Sequence, residues 1–243
     1  MFKLKVKLLI LLIIVFIIFS GNVSAGENNS DVLEVSDEDK IQSGYYYDSQ
    51  NDVVYTDKTI DAKDLSVYYG SHKKFKVKVF NDDGTPAGDV DVHFFIKGKN
   101  AIDYNIKLSN SKGIVSFPIK YPSGKYDVVS AVYCYDDNGK KTDDFWFTKN
   151  KIKIKSTILT LSLSKSLKDK NKKFSIKFLD CDGKMLKHKK IKLKVKGKVY
   201  KIKTNSKGIA KFKINSLKIG KHKITAINTV SKEKRSIVVK IKK

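Results

Sequence analysis

Arginine is nearly missing from this chain: of its 50 basic residues only Arg235 carries a guanidinium, and the rest are lysines. A guanidinium's planar fork is what reads a base edge in two places at once, so sequence-specific nucleic-acid recognition is not expected. Cysteine is also scarce. Cys134 and Cys181 allow at most one bridge, so the fold must be held by its apolar core. Histidine is limited to His72, His93, His188 and His222, which have no metal-ligand spacing and are expected at solvated positions. No Gly-x-Ser-x-Gly, His-Glu-x-x-His or phosphate-loop sequence occurs, so the reading is of a non-enzymatic chain without a cofactor. Asp82-Asp83-Gly84, Asp136-Asp137-Asn138-Gly139 and Asp180-x-Asp182-Gly183 resemble calcium loops. They lack the third carboxylate and closing Glu of an EF-hand, and hairpin turns favour the same residues.

Long apolar runs are absent except at the N-terminus, where Leu8 to Phe19 follow Lys3, Lys5 and Lys7 and precede Val23-Ser24-Ala25. A charged region, an apolar core and a small-x-small end form the layout of a secretory signal peptide. As a helix the run rises about 18 Å against roughly 30 Å of hydrocarbon, which disfavours a permanent span. Residues 1–25 are therefore read as a signal, with an uncleaved anchor as the alternative. The mature protein is expected to be secreted, with no transmembrane anchor.

What the chain does contain is a duplication. Lys73-Lys74-Phe75 to Asp83-Gly84 reads again as Lys172-Lys173-Phe174 to Asp182-Gly183. Val92, Phe94, Ile96 and Gly98 match Ile191, Leu193, Val195 and Gly197. Asn110-Ser111-Lys112-Gly113-Ile114 matches Asn205-Ser206-Lys207-Gly208-Ile209, and Gly124-Lys125-Tyr126 matches Gly220-Lys221-His222. Both copies alternate apolar and polar residues with period two. In the second copy the apolar phase is Leu159, Leu161, Leu163; Phe174, Ile176, Phe178; Ile191, Leu193, Val195; Tyr200, Ile202; Phe212, Ile214; Ile224; and Ile237, Val239, Ile241. Short alternating strands with Gly-containing turns between them predict two tandem antiparallel β-sandwiches of immunoglobulin-like type, at 60–150 and 151–243. Because Cys134 and Cys181 fall at non-equivalent places in different copies, the usual intradomain disulfide is not expected, although an intermolecular one stays open.

Charge is spread unevenly. Residues 26–59 hold 2 basic and 9 acidic residues and read as an acidic, flexible segment; 60–150 hold 14 and 12; 151–243 hold 31 and 4. In the second copy Lys192, Lys194 and Lys196 share one outward row, Lys201 and Lys203 another, Lys211 and Lys213 a third, and Lys240 and Lys242 the last. Two readings stand. The lysines are a polyanion-binding surface, or they are a solvated face filled by the commonest soluble side chain of a compositionally biased sequence. If a polyanion binds, stacking on aromatics is not expected, since Phe174, Phe178, Tyr200 and Phe212 all lie in the inward phase. Lysine acts as a hydrated point charge, suited to an anionic cell-envelope polymer or an acidic glycan. In the first copy Tyr133, Tyr135 and Trp146 are candidate aromatic contacts for a sugar or a protein, with core packing as the competing reading. Tyr126, after Gly124-Lys125, stands where a tyrosine corner supports a core.

The repeated pattern Lys-Phe-x-Val/Ile-Lys, Asp-Gly, Lys-Gly-Lys, Asn-Ser-Lys-Gly-Ile and Gly-Lys-Tyr/His resembles the bacterial Ig-like repeats of surface adhesins. It is most similar to those in adhesin-like proteins of methanogenic archaea. The resemblance covers 60–243 and implies a cell-surface, adhesin-like protein, though it supplies no binding residues, and such proteins are usually longer and anchored. The expected function is non-enzymatic binding through the Lys-rich second repeat. A spacer or subunit of a surface assembly, and a carbohydrate-binding module using the first repeat's aromatics, are the alternatives. The sequence leaves the oligomeric state open, as well as a lysine-to-asparagine crosslink.

Overall fold

In the computed structural model the backbone is described for residues 44–48, 53–57, 59–99, 101–135, 138–162, 164–166, 173–213 and 217–242, and side chains from 59 onward except 161–166. The signal reading, residues 26–43 and Ile214 lie outside the described residues. Every described element is a strand. The chain divides into two compact units, one made of residues up to Leu65, Lys74–Phe117 and Tyr126–Ile152, the other of Ser66–Lys73, Pro118–Lys125 and Lys153–Lys243.

The second unit is the simpler. Strands β11 (Ile158–Ser162), β13 (Phe174–Phe178) and β16 (Ile209–Phe212) form a three-stranded sheet in the order β11-β13-β16. Strands β12 (Ser164–Ser166), β14 (Lys190–Val195), β15 (Lys198–Lys203), β17 (Gly220–Ile227) and β18 (Lys234–Lys242) form a five-stranded sheet in the order β12-β18-β17-β14-β15. All pairings are antiparallel except β12 with β18. Period-two alternation turns one row of each strand inward, so Phe174, Ile176, Phe178, Ile191, Leu193, Val195, Phe212, Ile224, Ile237 and Val239 share one buried cluster between the two layers. At about 1.5–3 kcal/mol per fully buried side chain before entropy, this cluster is the main stabilising term.

The first unit repeats the plan. Strands β3 (Ile60–Ala62), β5 (Lys74–Val79) and β8 (Ile114–Pro118) make the small sheet, and β10 (Lys141–Lys155), β9 (Gly124–Tyr135), β6 (Asp91–Gly98) and β7 (Ala101–Leu108) correspond to the larger one; β4 (Leu65–Tyr68), which pairs with β10, and the last residues of β10 pass into the second unit. The fold is all-β, two immunoglobulin-like antiparallel sandwiches. The large sheet gains a hairpin of β1 (Gly44–Asp48) and β2 (Val53–Asp57), whose Tyr45, Tyr46 and Tyr47 are in register with Phe147, Trp146 and Phe145 of β10. The acidic segment 26–59, expected to be flexible throughout, thus ends in paired strands. Backbone hydrogen bonding to a free sheet edge needs no apolar periodicity, so composition does not reveal it.

The turns explain why the repeat was legible. Asn110 and Asn205 each accept two backbone N–H bonds through their side-chain oxygens, from Lys112 and Ile114 and from Lys207 and Ile209. The glycine of each turn then takes a left-handed conformation (φ 67° at Gly113, 70° at Gly208) and offers its carbonyl to Val79 or Phe178 at 2.8 Å. A Cβ on Gly208 would stand 2.7 Å from the Phe178 carbonyl oxygen, and one on Gly113 2.3 Å from that of Val79. Gly208→Ala is therefore expected to cost about 1–3 kcal/mol from the backbone conformation alone, more with the clash, and urea unfolding would measure it. The aspartate turns close with the same backbone hydrogen bonds, Asn81 with Thr85 and Asp180 with Lys184, but different carboxylates cap them. Asp180 accepts from Asp182 N–H and Lys184 N–H, and Asp83 accepts from the Thr85 N–H and hydroxyl, which holds its carboxyl below the usual carboxylate range.

Three inward or solvated assignments are corrected. Ile158 is buried while Leu159 is exposed, because the register of β11 shifts between Thr160 and Ser162, where the chain passes from one sheet to the other. Tyr200 is 37% exposed: β15 is an edge strand whose core-facing row has little of the opposite sheet above it. His93 is buried, since β6 is covered on both faces from Val92 to Ile96. Tyr126 is buried as expected.

Candidate functional site

The lysines of the second unit are ordered by strand register. On the five-stranded sheet Lys190 lies opposite Lys203, Lys192 opposite Lys201, and Lys221 opposite Lys240, all exposed. Lys194, Lys223, Lys234 and Lys242 share the same outer rows, because their neighbours Val195, Ile224, Ile237 and Ile241 fill the core. Side chains directly opposite on antiparallel strands stand about 4.5–5.5 Å apart at Cβ. At 5 Å two unit charges repel by about 0.8 kcal/mol in water before screening.

No carboxylate relieves this face among the described residues. Asp180 and Asp182 belong to the turn after β13. Glu233 is 3% exposed, and its two oxygens accept hydrogen bonds from the Ser123 hydroxyl (3.0 Å), the Ser156 hydroxyl (2.8 Å), and the Thr157 N–H (2.6 Å) and hydroxyl (2.7 Å). Arg235 is likewise engaged, donating to the Ile158 carbonyl at 2.6 Å. The outer face therefore presents only ammonium groups as charges.

Of the lysines singled out from sequence, Lys192, Lys194, Lys201, Lys203, Lys240 and Lys242 are brought together on this sheet. Lys196 sits between β14 and β15 at φ 45°, and Lys211 and Lys213 belong to β16 and the residues after it, on the other sheet. Sequence reading missed Lys190, Lys221, Lys223 and Lys234. The phase of Ile224 and Ile237 was the signal that would have placed them. Replacing Lys192 or Lys201 by Gln is expected to raise stability by about 0.2–1 kcal/mol in low salt and to change nothing in high salt, as read by urea midpoints at two ionic strengths.

The aromatics of the first unit do not share one platform. Tyr133 packs edge-on against His93 (4.8 Å between ring centres) and against Phe145 (5.5 Å), with the Lys141 ammonium 3.2 Å above its ring. Burial pushes its hydroxyl pKa up, as do the neighbouring Tyr104 and Asp143. Phe145 and Phe147 pack at a tilt on the Tyr133 side of β10, so alternation turns the half-buried Trp146 to the opposite side. Tyr135 is 56% exposed. His93 Nδ1 lies 2.5 Å from the Tyr104 hydroxyl, and burial together with Lys141 lowers the imidazole pKa to about 4. Neither Cys134 nor Cys181 is in a disulfide. Among the described residues no group of three or more His, Cys, Asp or Glu is placed to hold a metal ion.

No protein-family model and no curated protein matches the chain. Solved structures similar to it include an adhesin, stabilised by calcium, that helps an Antarctic bacterium bind ice (10% identity, 76% of this chain and 48% of that one, TM-score 0.26). Others are invasin, a bacterial integrin-binding protein (11%, 75% and 38%, TM-score 0.28), and the FN1–FN3 domains of chicken CNTN1 (10%, 75% and 64%, TM-score 0.25). The chain spans less than half the length of the two bacterial proteins. At such scores the fold assignment rests on strand order and register, not on the likeness.

Proposed function

We propose that this chain is a cell-surface, adhesin-like immunoglobulin-repeat protein that binds an anionic envelope polymer or acidic glycan, without catalysis, through the lysine face of its second unit. The supporting observation is the register itself: three lysine pairs stand directly opposite one another with no carboxylate on the same face among the described residues. Like charges at that spacing cost stability in the free protein, and a polymer with regularly spaced anions converts the cost into attraction. A surface of ten lysines favours avidity over shape, so the ligand is defined by charge density.

Retention on isolated cell envelopes across a salt series tests this reading. Release is expected to rise steeply with ionic strength, since the screening length falls from about 10 Å at 0.1 M to about 3 Å at 1 M. Substituting Lys190, Lys192, Lys201, Lys203, Lys221 and Lys240 with Gln is expected to abolish retention at low salt. Unchanged retention of that variant would instead assign the second unit a spacer role.

A further inference from the structure

The lysine face leaves one feature unused, the free edge of the same sheet. Among the described residues no strand pairs with the outer side of β15, and β16 is likewise the last strand of its sheet. Between them runs a groove of about 450 Å³ lined on one side by Tyr200, Ile202 and Phe212 and on the other by the lysines Lys201, Lys211 and Lys213. Register splits β15 into two rows. Tyr200 and Ile202 lie opposite Leu193 and Ile191 on the core side, whereas Lys201 and Lys203 lie opposite Lys192 and Lys190 on the outer side. Val199, on the outer row, is 54% exposed.

A strand added to β15 would continue both rows. Its alternate side chains would fall into the groove beside Tyr200, Ile202 and Phe212, where apolar groups fit, and the others beside Lys201, Lys203 and Lys192, where carboxylates fit. A second copy of β15 is excluded by charge, because three of its six residues are lysines and edge lysines oppose pairing with a like strand. A bare polyanion would satisfy the lysines and leave the apolar side of the groove, Tyr200, Ile202 and Phe212, uncovered.

We infer that the edge of β15 is a docking site for an extended acidic peptide strand in which Asp or Glu alternates with apolar residues. The strand gains affinity from backbone hydrogen bonds along roughly 20 Å of β15 and selectivity from the two rows. This site stands apart from the polyanion reading, since it uses the sheet's edge and groove and not its face.

The test uses the whole chain and three synthetic peptides: one alternating Glu with Val, one of the same composition with its glutamates in a block, and the alternating peptide N-methylated along one backbone edge. Calorimetry is expected to show the alternating peptide binding at least about tenfold more tightly than either control. Hydrogen exchange is expected to slow at β15 amides and not across β14–β17. Equal binding by all three peptides, or exchange at the outer-edge β15 amides slowed as much by polyglutamate or an oligouronate as by the alternating peptide, would overturn the site. Slowed exchange only on the lysine face would overturn it too while leaving the polyanion reading intact. Failure of the natural chain to be retained on envelopes at low salt, with β15 docking preserved, would do the reverse.

Discussion

Between pH 7 and 4.5 the first unit is expected to lose about 2–3 kcal/mol of stability on account of His93 alone. The imidazole is buried on β6 against Tyr104 and Tyr133, with Lys141 nearby, and its pKa falls to about 4 from an ordinary value near 6.5. A pKa lowered in the folded state means that the unfolded chain takes up its proton first as the pH drops. The stabilising contribution is therefore complete above about 6.5 and is lost between there and about 4, at close to 1.36 kcal/mol per pH step, reduced for the part of the ring still near solvent. Trp146, the only tryptophan, belongs to this unit and reports its unfolding. His93→Phe keeps the edge contact with Tyr133 and removes the titration. Unfolding free energies from urea titrations followed by Trp146 fluorescence should then fall by about 2–3 kcal/mol less for the variant than for the natural chain over that interval. Equal losses would show that acid acts elsewhere.

The second large effect is expected at Glu233. A buried carboxylate is tolerable only when its oxygens are fully used, and this one accepts four hydrogen bonds, two from Thr157 at the start of β11. Around it the Thr157 hydroxyl also lies 2.7 Å from that of Ser231 and accepts from the Asn228 amide at 3.0 Å, while Asn228 donates to the Leu179 carbonyl at 2.7 Å. Glu233→Ala leaves the buried Thr157 N–H without its acceptor and unties β11 from the turn before β18. The expected cost is about 3–5 kcal/mol, with Glu233→Gln costing less because it keeps one acceptor oxygen. Chemical unfolding followed by circular dichroism checks it, and a loss under about 1 kcal/mol for the alanine variant would mean that water replaces the carboxylate.

Much of the fold was legible because the residues that specify it act locally. The Asn-Ser-Lys-Gly-Ile turns are fixed by one side-chain oxygen and one left-handed glycine, and both copies close the same way. Alternation placed Ile191, Leu193 and Val195 inside and their lysine neighbours outside. What alternation cannot supply is the width of the sandwich. Tyr200 keeps the inward phase of its strand yet is partly exposed, because an edge strand extends past the sheet opposite. Leu159 failed for a different reason, a register shift that no pattern of apolar residues announces. His93 was hidden by its own polarity. The run Val92–Ile96 is otherwise continuous and apolar, the mark of a strand covered on both faces, and the histidine reads as a break in it. The lysine surface was half legible: its residues could be named, but which ones face each other is a property of register, and register needs the partner strand.

On the proposed reading, the lysines of one sheet face act as a single anion-binding surface. Amide and lysine side-chain NMR shifts of the full chain, titrated with polyglutamate at low salt, test this most directly. The predicted result is a set of shifts confined to β14, β15, β17 and β18, centred on Lys192, Lys201, Lys221 and Lys240 and reversed by salt. Shifts spread evenly over Lys177, Lys211 and the lysines of the first unit would contradict it, since they would mark a chain attracted by net charge with no organised face.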